Sequence, residues 1–121
     1  PQHIPHQDAV FNASRTALYV GALMSGNYQY LNAALEDRLH QPYRIPLITG
    51  TEAVFEAAKA NGAYGAIISG AGSTLMAYVD PEKDCDIIAA AMTDAFEKYG
   101  QRSTAHILKL DINGAREKEH S

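Results

Sequence analysis

Residues 69–73 read Ser69-Gly70-Ala71-Gly72-Ser73 and lie between two short runs rich in apolar and β-forming residues, 63–68 and 74–79. Two glycines in three residues permit a positive φ and a close approach that other residues forbid. A helix or strand does not run through such a segment, so the chain must turn here. Strand, glycine loop, strand is the natural reading, with a helix after the loop as the other option. Successive exposed N–H groups in such a loop can form an anion nest; the plainer reading is a tight connection between two strands. The loop is not a Walker A sequence, because no Gly-Lys-Ser/Thr follows. The third glycine of the dinucleotide fingerprint is absent, and no serine stands between the two glycines as a nucleophile elbow requires.

The rest of the chain is mostly helical in pattern. An extended opening, residues 1–7, contains two prolines and two histidines. From Asp8, the residues Val10, Ala13, Ala17, Val20 and Met24 recur at spacings of three and four, with Phe11 and Leu18 beside them, up to Gly26. A second helix is expected over about 28–39, with Leu31, Leu35 and Leu39 one turn apart and Glu36, Asp37 and Arg38 facing outward. Pro42 then breaks the chain and Pro46 keeps it extended. Thr49 and Glu52 have capping-box spacing for a third helix through Val54, Ala57 and Ala58 to Gly62. After the two strands, Asp80-Pro81-Glu82 has the form of a helix start. Ile88, Met92, Phe96 and Tyr99 line one face of that helix, with Ala91 and Ala95 between them, before Gly100 ends it. Residues 104–110 read as a third strand with Ile107, Leu108 and Leu110 at least half buried, and 116–121 as a polar, frayed tail. The order predicts an α+β domain: a small antiparallel sheet covered by helices.

The 121 residues suffice for one domain with a real core and are too few for two ordinary ones. Ten Lys and Arg against fourteen Asp and Glu give a net charge of -4, the wrong sign for an electrostatic nucleic-acid binder. Neither a membrane span nor a secretory leader is evident. Cys85 is the single cysteine, so neither an internal disulfide nor a cysteine-based zinc site can form. The first residue is Pro1, and the chain is expected to begin inside a longer polypeptide.

Three further features bear on chemistry. His40-Gln41-Pro42-Tyr43-Arg44 follows a helix, contains Pro42 and is followed by Pro46, and a fixed arginine suits a carboxylate held by two parallel hydrogen bonds. Its plain reading is a surface Arg44 and a His40 at a helix C-terminus. Asn12 and Arg15 are three apart on one helix face; with His40 they are candidate cleft residues. The five histidines contain no His-x-x-x-His pair, so no metal site is expected. His106 reads as a partly buried structural residue.

Taken together, the segments 5–12 (PHQDAVFN), 35–48 (LEDRLHQPYRIPLI), 62–74 (GAYGAIISGAGST) and 104–111 (TAHILKLD) resemble the C-terminal domain of the homoserine kinases. These belong to the GHMP small-molecule kinase superfamily. The resemblance covers nearly the whole chain, and Ser73 departs from it, standing where the family usually has proline. It implies a ferredoxin-like C-terminal domain, with residues 1–121 as a fragment lacking the N-terminal ATP-binding domain.

For function, the resemblance implies transfer of the ATP γ-phosphoryl group to the homoserine hydroxyl, on the cytoplasmic route to threonine. Arg44 would bind the substrate carboxylate. Ser69, Gly70, Ala71, Gly72 and Ser73 would form an active-site loop against the phosphate loop. ATP and Mg²⁺ would be bound mainly by the missing domain, whose Gly- and Ser-rich phosphate loop is absent from this sequence. Partners would be that domain and homoserine, with neither nucleic acid nor membrane, and with a homodimer left open. Two other readings stand: another GHMP kinase, acting on mevalonate, galactose or shikimate, or a self-standing regulatory domain that binds a small molecule.

Overall fold

The computed structural model describes residues 1–117; residues 118–121, the end of the expected polar tail, lie outside the described residues. Helix α1 (His6–Ser25) starts behind Pro5, whose carbonyl accepts from the Asp8 and Ala9 amides at 3.0 and 3.3 Å. The extended opening is therefore shorter than expected. Gly26 ends the helix as its position predicted.

The buried side of α1 is not the one the periodicity picked out. Phe11, Leu18 and Tyr19 are partly buried and Ala22 fully, whereas Val10, Ala13, Ala17, Val20 and Met24 are exposed, Met24 to 83%. Apolar residues occur on both sides of this helix, so spacing alone does not choose between them. Packing chooses: α1 lies on a 3₁₀ turn (Tyr28–Tyr30) and on α2 (Leu31–Ala34). The Tyr19 and Tyr78 hydroxyls also meet at 2.8 Å, tying α1 to the second strand.

The expected second helix is cut short, because residues 35–40 leave helical geometry after α2. The chain then forms α3 (Gln41–Arg44) and a 3₁₀ turn (Ile45–Leu47). Pro42 and Pro46 sit in first turns, where a missing N–H costs nothing, and do not extend the chain as expected.

Helix α4 (Thr51–Ala60) is not opened by a Thr49 box. Gly50 caps it at φ 91°, with no side-chain cap bond, and a Cβ there would press on Tyr99 at 3.2 Å. Thr51 is 1% exposed and its hydroxyl donates to Ile48 O at 2.6 Å. At the other end the Gly62 and Ala63 amides donate to Lys59 and Ala58 carbonyls, both at 3.0 Å, as a Schellman closure requires.

Strands β1 (Gly65–Ile68) and β2 (Leu75–Tyr78) form the expected antiparallel hairpin, with Gly65 opposite Tyr78 and Ile68 opposite Leu75. A Cβ at Gly65 would meet Leu35 Cδ1 at 2.8 Å and Asn32 Cα at 3.4 Å, so β1 lies close against the α2 segment. Helix α5 (Cys85–Glu97) starts later than Asp80: Asp84 is its cap, accepting from the Asp86 and Ile87 amides at 3.0 and 3.3 Å. Asp80 is engaged elsewhere, by the Tyr64 hydroxyl at 2.6 Å and the Glu82 amide at 2.8 Å.

Helix α5 packs on α4, which packs on β1; Val54, Ala58, Ile68, Ile88 and Ala95 are buried between them. The third strand does not form. Residues 104–110 have no regular structure, Leu108 and Leu110 are both 84% exposed, and His106 is exposed as well. Among the described residues β1 and β2 pair only with each other, and an unpaired segment has no ladder to make it a strand.

Candidate functional site

The 69–73 loop closes the hairpin. The Ser69 amide donates to Thr74 O at 2.8 Å and the Gly72 amide to Ser69 O at 3.1 Å. Gly70 and Gly72 have φ values of 57° and 83°, and the Gly72–Ser73 peptide is cis. A Cβ on Gly72 would stand 2.6 Å from Ile48 Cδ1 and 3.3 Å from Ile68 Cγ2, so the bare glycine lets the loop rest on these side chains. All five loop residues are exposed. Among the described residues, the amides of Gly70, Ala71 and Ser73 have no partner within the chain, and they are the donors left for an anion.

Arg44 is the last residue of α3 and is partly buried. Among the described residues the ion pairs use Arg15, Arg38, Lys59 and Arg116, and not Arg44. Its side chain lines an open groove of about 360 Å³ with Leu39, His40, Tyr43, Leu47 and Pro1. A guanidinium on such a wall can take an incoming carboxylate in a fork. His40 joins this groove to the glycine loop: its Nε2 donates to Gly70 O at 3.0 Å.

Asn12 and Arg15 share a face of α1 but do not line this groove. The Asn12 amide donates to Asp37 Oδ1 at 2.6 Å and its Oδ1 accepts the Arg38 amide at 2.9 Å. Arg15 pairs with Glu36 at 2.9 Å and stacks over the Phe11 ring at 4.3 Å. Both bind the 36–38 turn to α1. Among the described residues no three His, Cys, Asp or Glu side chains come together to hold a metal ion.

The family model for the C-terminal region of GHMP kinases matches residues 8–98. The chain belongs to the GHMP kinase C-terminal family. This C-terminal domain is 47% identical over 114 residues to the homoserine kinase of Picosynechococcus sp., a match covering 94% of the chain and 37% of that relative. It is 43% identical over 120 residues to the homoserine kinase of Crocosphaera subtropica, covering 99% of the chain and 39% of the relative. The crystal structure of homoserine kinase from Cytophaga hutchinsonii superposes with a TM-score of 0.75 at 28% identity, over 81% of the chain and 31% of that structure. The chain thus spans less than two fifths of the length of these relatives.

Two residues of the GHMP domain were not singled out by sequence: Asp37, read as facing outward, and Gln41. Asp37 is partly buried and accepts the amides of Leu39, His40 and Gln41 at 2.8, 3.0 and 2.7 Å. The available signal was an aspartate shortly ahead of a Gln-Pro pair, the composition of a capped helix start. Burial pushes the Asp37 carboxyl up, but the Gln41 and Leu39 amides, the Asn12 side chain and the His40 amide outweigh it, holding it below the ordinary 3.8.

The pH dependence follows from that direction. Near pH 4 the unfolded chain binds more protons at this site than the folded one, so stability rises with pH there. The contribution is fully present above the ordinary value and is lost as pH falls through the lowered one. The gap in urea midpoint between the parent polypeptide and Asp37→Asn should hold steady from neutral pH to about 5 and narrow below about 4. A gap unchanged down to about pH 3 contradicts this assignment.

Proposed function

We propose that this chain is the C-terminal part of a homoserine kinase, which moves the γ-phosphoryl group of ATP to the homoserine hydroxyl on the route to threonine. The observation that carries the reading is the meeting of the Arg44 groove and the glycine loop at the His40–Gly70 bond. An amino-acid acceptor needs its carboxylate held at one end and its hydroxyl aimed at phosphorus at the other. Arg44 supplies the first function, and the loop of residues 69–73, with its free amides, faces the phosphates. Catalysis in phosphoryl transfer rests on such positioning and on charge stabilisation. The named relatives are homoserine kinases, which supports homoserine over the sugar and isoprenoid acceptors of other GHMP kinases.

Among the described residues no three His, Cys, Asp or Glu side chains come together, and the sequence has no Gly- and Ser-rich phosphate loop; ATP and Mg²⁺ are assigned mainly to the part of the polypeptide outside this chain, as the resemblance implies. No helix among the described residues is long and apolar enough to cross a membrane. The reaction is assigned to the cytoplasm.

Two assays test the reading together. The full-length polypeptide should phosphorylate homoserine with ATP and Mg²⁺, and prefer it to mevalonate, galactose and shikimate. The 121-residue chain alone should fold and show no turnover above a blank, because it carries no phosphate loop. Turnover by the chain alone, or preference for another acceptor, overturns the reading.

A further inference from the structure

Two hydrogen bonds connect the 37–47 segment to the hairpin among the described residues: His40 to Gly70 O, and Gln41 to the Ile68 amide. The second is made by a side chain that does not line the Arg44 groove. Gln41 Oε1 accepts the Ile68 amide at 2.9 Å, while its Nε2 donates to Leu35 O at 3.3 Å. Ile68 is the last residue of β1, and the glycine loop begins at the next position. Gln41 is also the first residue of α3, whose last residue is Arg44. One amide side chain therefore spans from the start of the arginine helix to the root of the loop.

Asp37 holds the backbone that presents Gln41. Oδ1 accepts the Leu39 amide and the Asn12 side chain, and Oδ2 accepts the His40 and Gln41 amides. Both oxygens are used, and all three consecutive amides at 39–41 are fixed by one carboxylate. Without it the start of α3 loses its cap, and His40 and Gln41 lose the backbone that aims both of them at the hairpin.

Resting on the proposed kinase reading, we propose that Asp37 and Gln41 are positioning residues for phosphoryl transfer. They set the spacing between the Arg44 carboxylate clamp and the loop that faces the phosphates. Neither touches substrate. A misplacement of about 1 Å between two ends of a bound reactant can cost on the order of a hundredfold in rate, so a lost tie between them is visible in kinetics.

The test uses the full-length polypeptide and two kinds of readout. Gln41→Ala removes the acceptor for the Ile68 amide, and Gln41→Glu keeps an acceptor at the same reach. Gln41→Ala should lower kcat with homoserine by about tenfold or more, and Gln41→Glu should recover part of that loss, since it keeps the acceptor for the Ile68 amide but loses the donor to Leu35 O. Hydrogen exchange of the 68–74 amides should accelerate in Gln41→Ala and not in Gln41→Glu. Asp37→Asn should lower kcat/KM for homoserine by about tenfold, and by less than about threefold where Arg44 is already alanine, because it acts through α3.

Parent kinetics in folded Gln41→Ala, or an Asp37→Asn loss equally large with Arg44 or Ala at 44, overturns the proposal. A drop in urea midpoint with unchanged kinetics does so too, since it leaves only a structural role. Should the parent fail to phosphorylate homoserine, the kinase reading falls. The exchange rates then decide the tie by themselves: unchanged exchange at 68–74 in Gln41→Ala overturns it.

Discussion

Replacing Arg44 with alanine in the full-length polypeptide should lower kcat/KM for homoserine by a factor between about 30 and about 800, equivalent to roughly 2 to 4 kcal/mol. The effect should fall mainly on the homoserine KM. Arg44 is partly buried on a groove wall and makes no ion pair among the described residues, so its guanidinium is free to fork onto a substrate carboxylate. Removing it leaves that carboxylate desolvated without a partner, which costs more than an exposed ion pair does. Lysine at this position should recover only part of the loss, because an ammonium restores charge without the planar fork. Steady-state kinetics with homoserine and ATP varied in turn separate the outcomes. Unchanged affinity and turnover remove Arg44 from the substrate site.

Gly72→Val should damage activity more than folding. Its φ of 83° is strained for any side chain and most for a β-branched one, at about 1 to 3 kcal/mol. Its Cβ would also stand 2.6 Å from Ile48 Cδ1 and 3.3 Å from Ile68 Cγ2; the Ile48 end can turn aside, but the rest of a valine side chain then has to fit between two side chains that the loop rests on. The loop should shift outward, carrying the free amides of Gly70, Ala71 and Ser73 with it. A loss in kcat/KM on the order of a hundredfold is expected, beside a moderate drop in urea midpoint. Both quantities should be measured on one full-length variant. If the loop is only a connection between β1 and β2, the midpoint drops and kcat/KM of the folded protein stays normal; that result overturns the active-site role proposed for it.

Most of the local architecture was legible in the chain. Gly26, Gly62 and Gly100 mark helix ends, and the apolar runs around residues 69–73 became β1 and β2 in the expected antiparallel pairing. Helix starts were less legible, because several side chains compete for the same role. Asp80 does accept the Glu82 amide as a cap would, but only a turn follows it, and the helix starts behind Asp84, which accepts from the Asp86 and Ile87 amides. At α4 the glycine at 50 displaced the Thr49 box, with Tyr99 packed against the place a side chain would fill. At the candidate site, Arg44 and the glycines stood out by residue type. Asp37 and Gln41 did not: Asp37 was read as an outward residue of a helix that in fact ends before it, and the Gln41 partner at Ile68 is distant in sequence.

The sequence by itself determined the existence of the three long helices α1, α4 and α5, the hairpin, the glycine loop and the family, since each rests on residues within a few positions of one another or on a motif in order. Tertiary structure alone decided which side of α1 is buried, because apolar residues lie on both sides and only the packing of α2 and the Tyr28–Tyr30 turn breaks the tie. It decided that residues 104–110 are not a strand, because strand formation belongs to a pair of segments and these residues have no partner among those described. It also decided that Asp37 turns inward, because three backbone amides and Asn12 hold a carboxylate that would otherwise be best solvated by water.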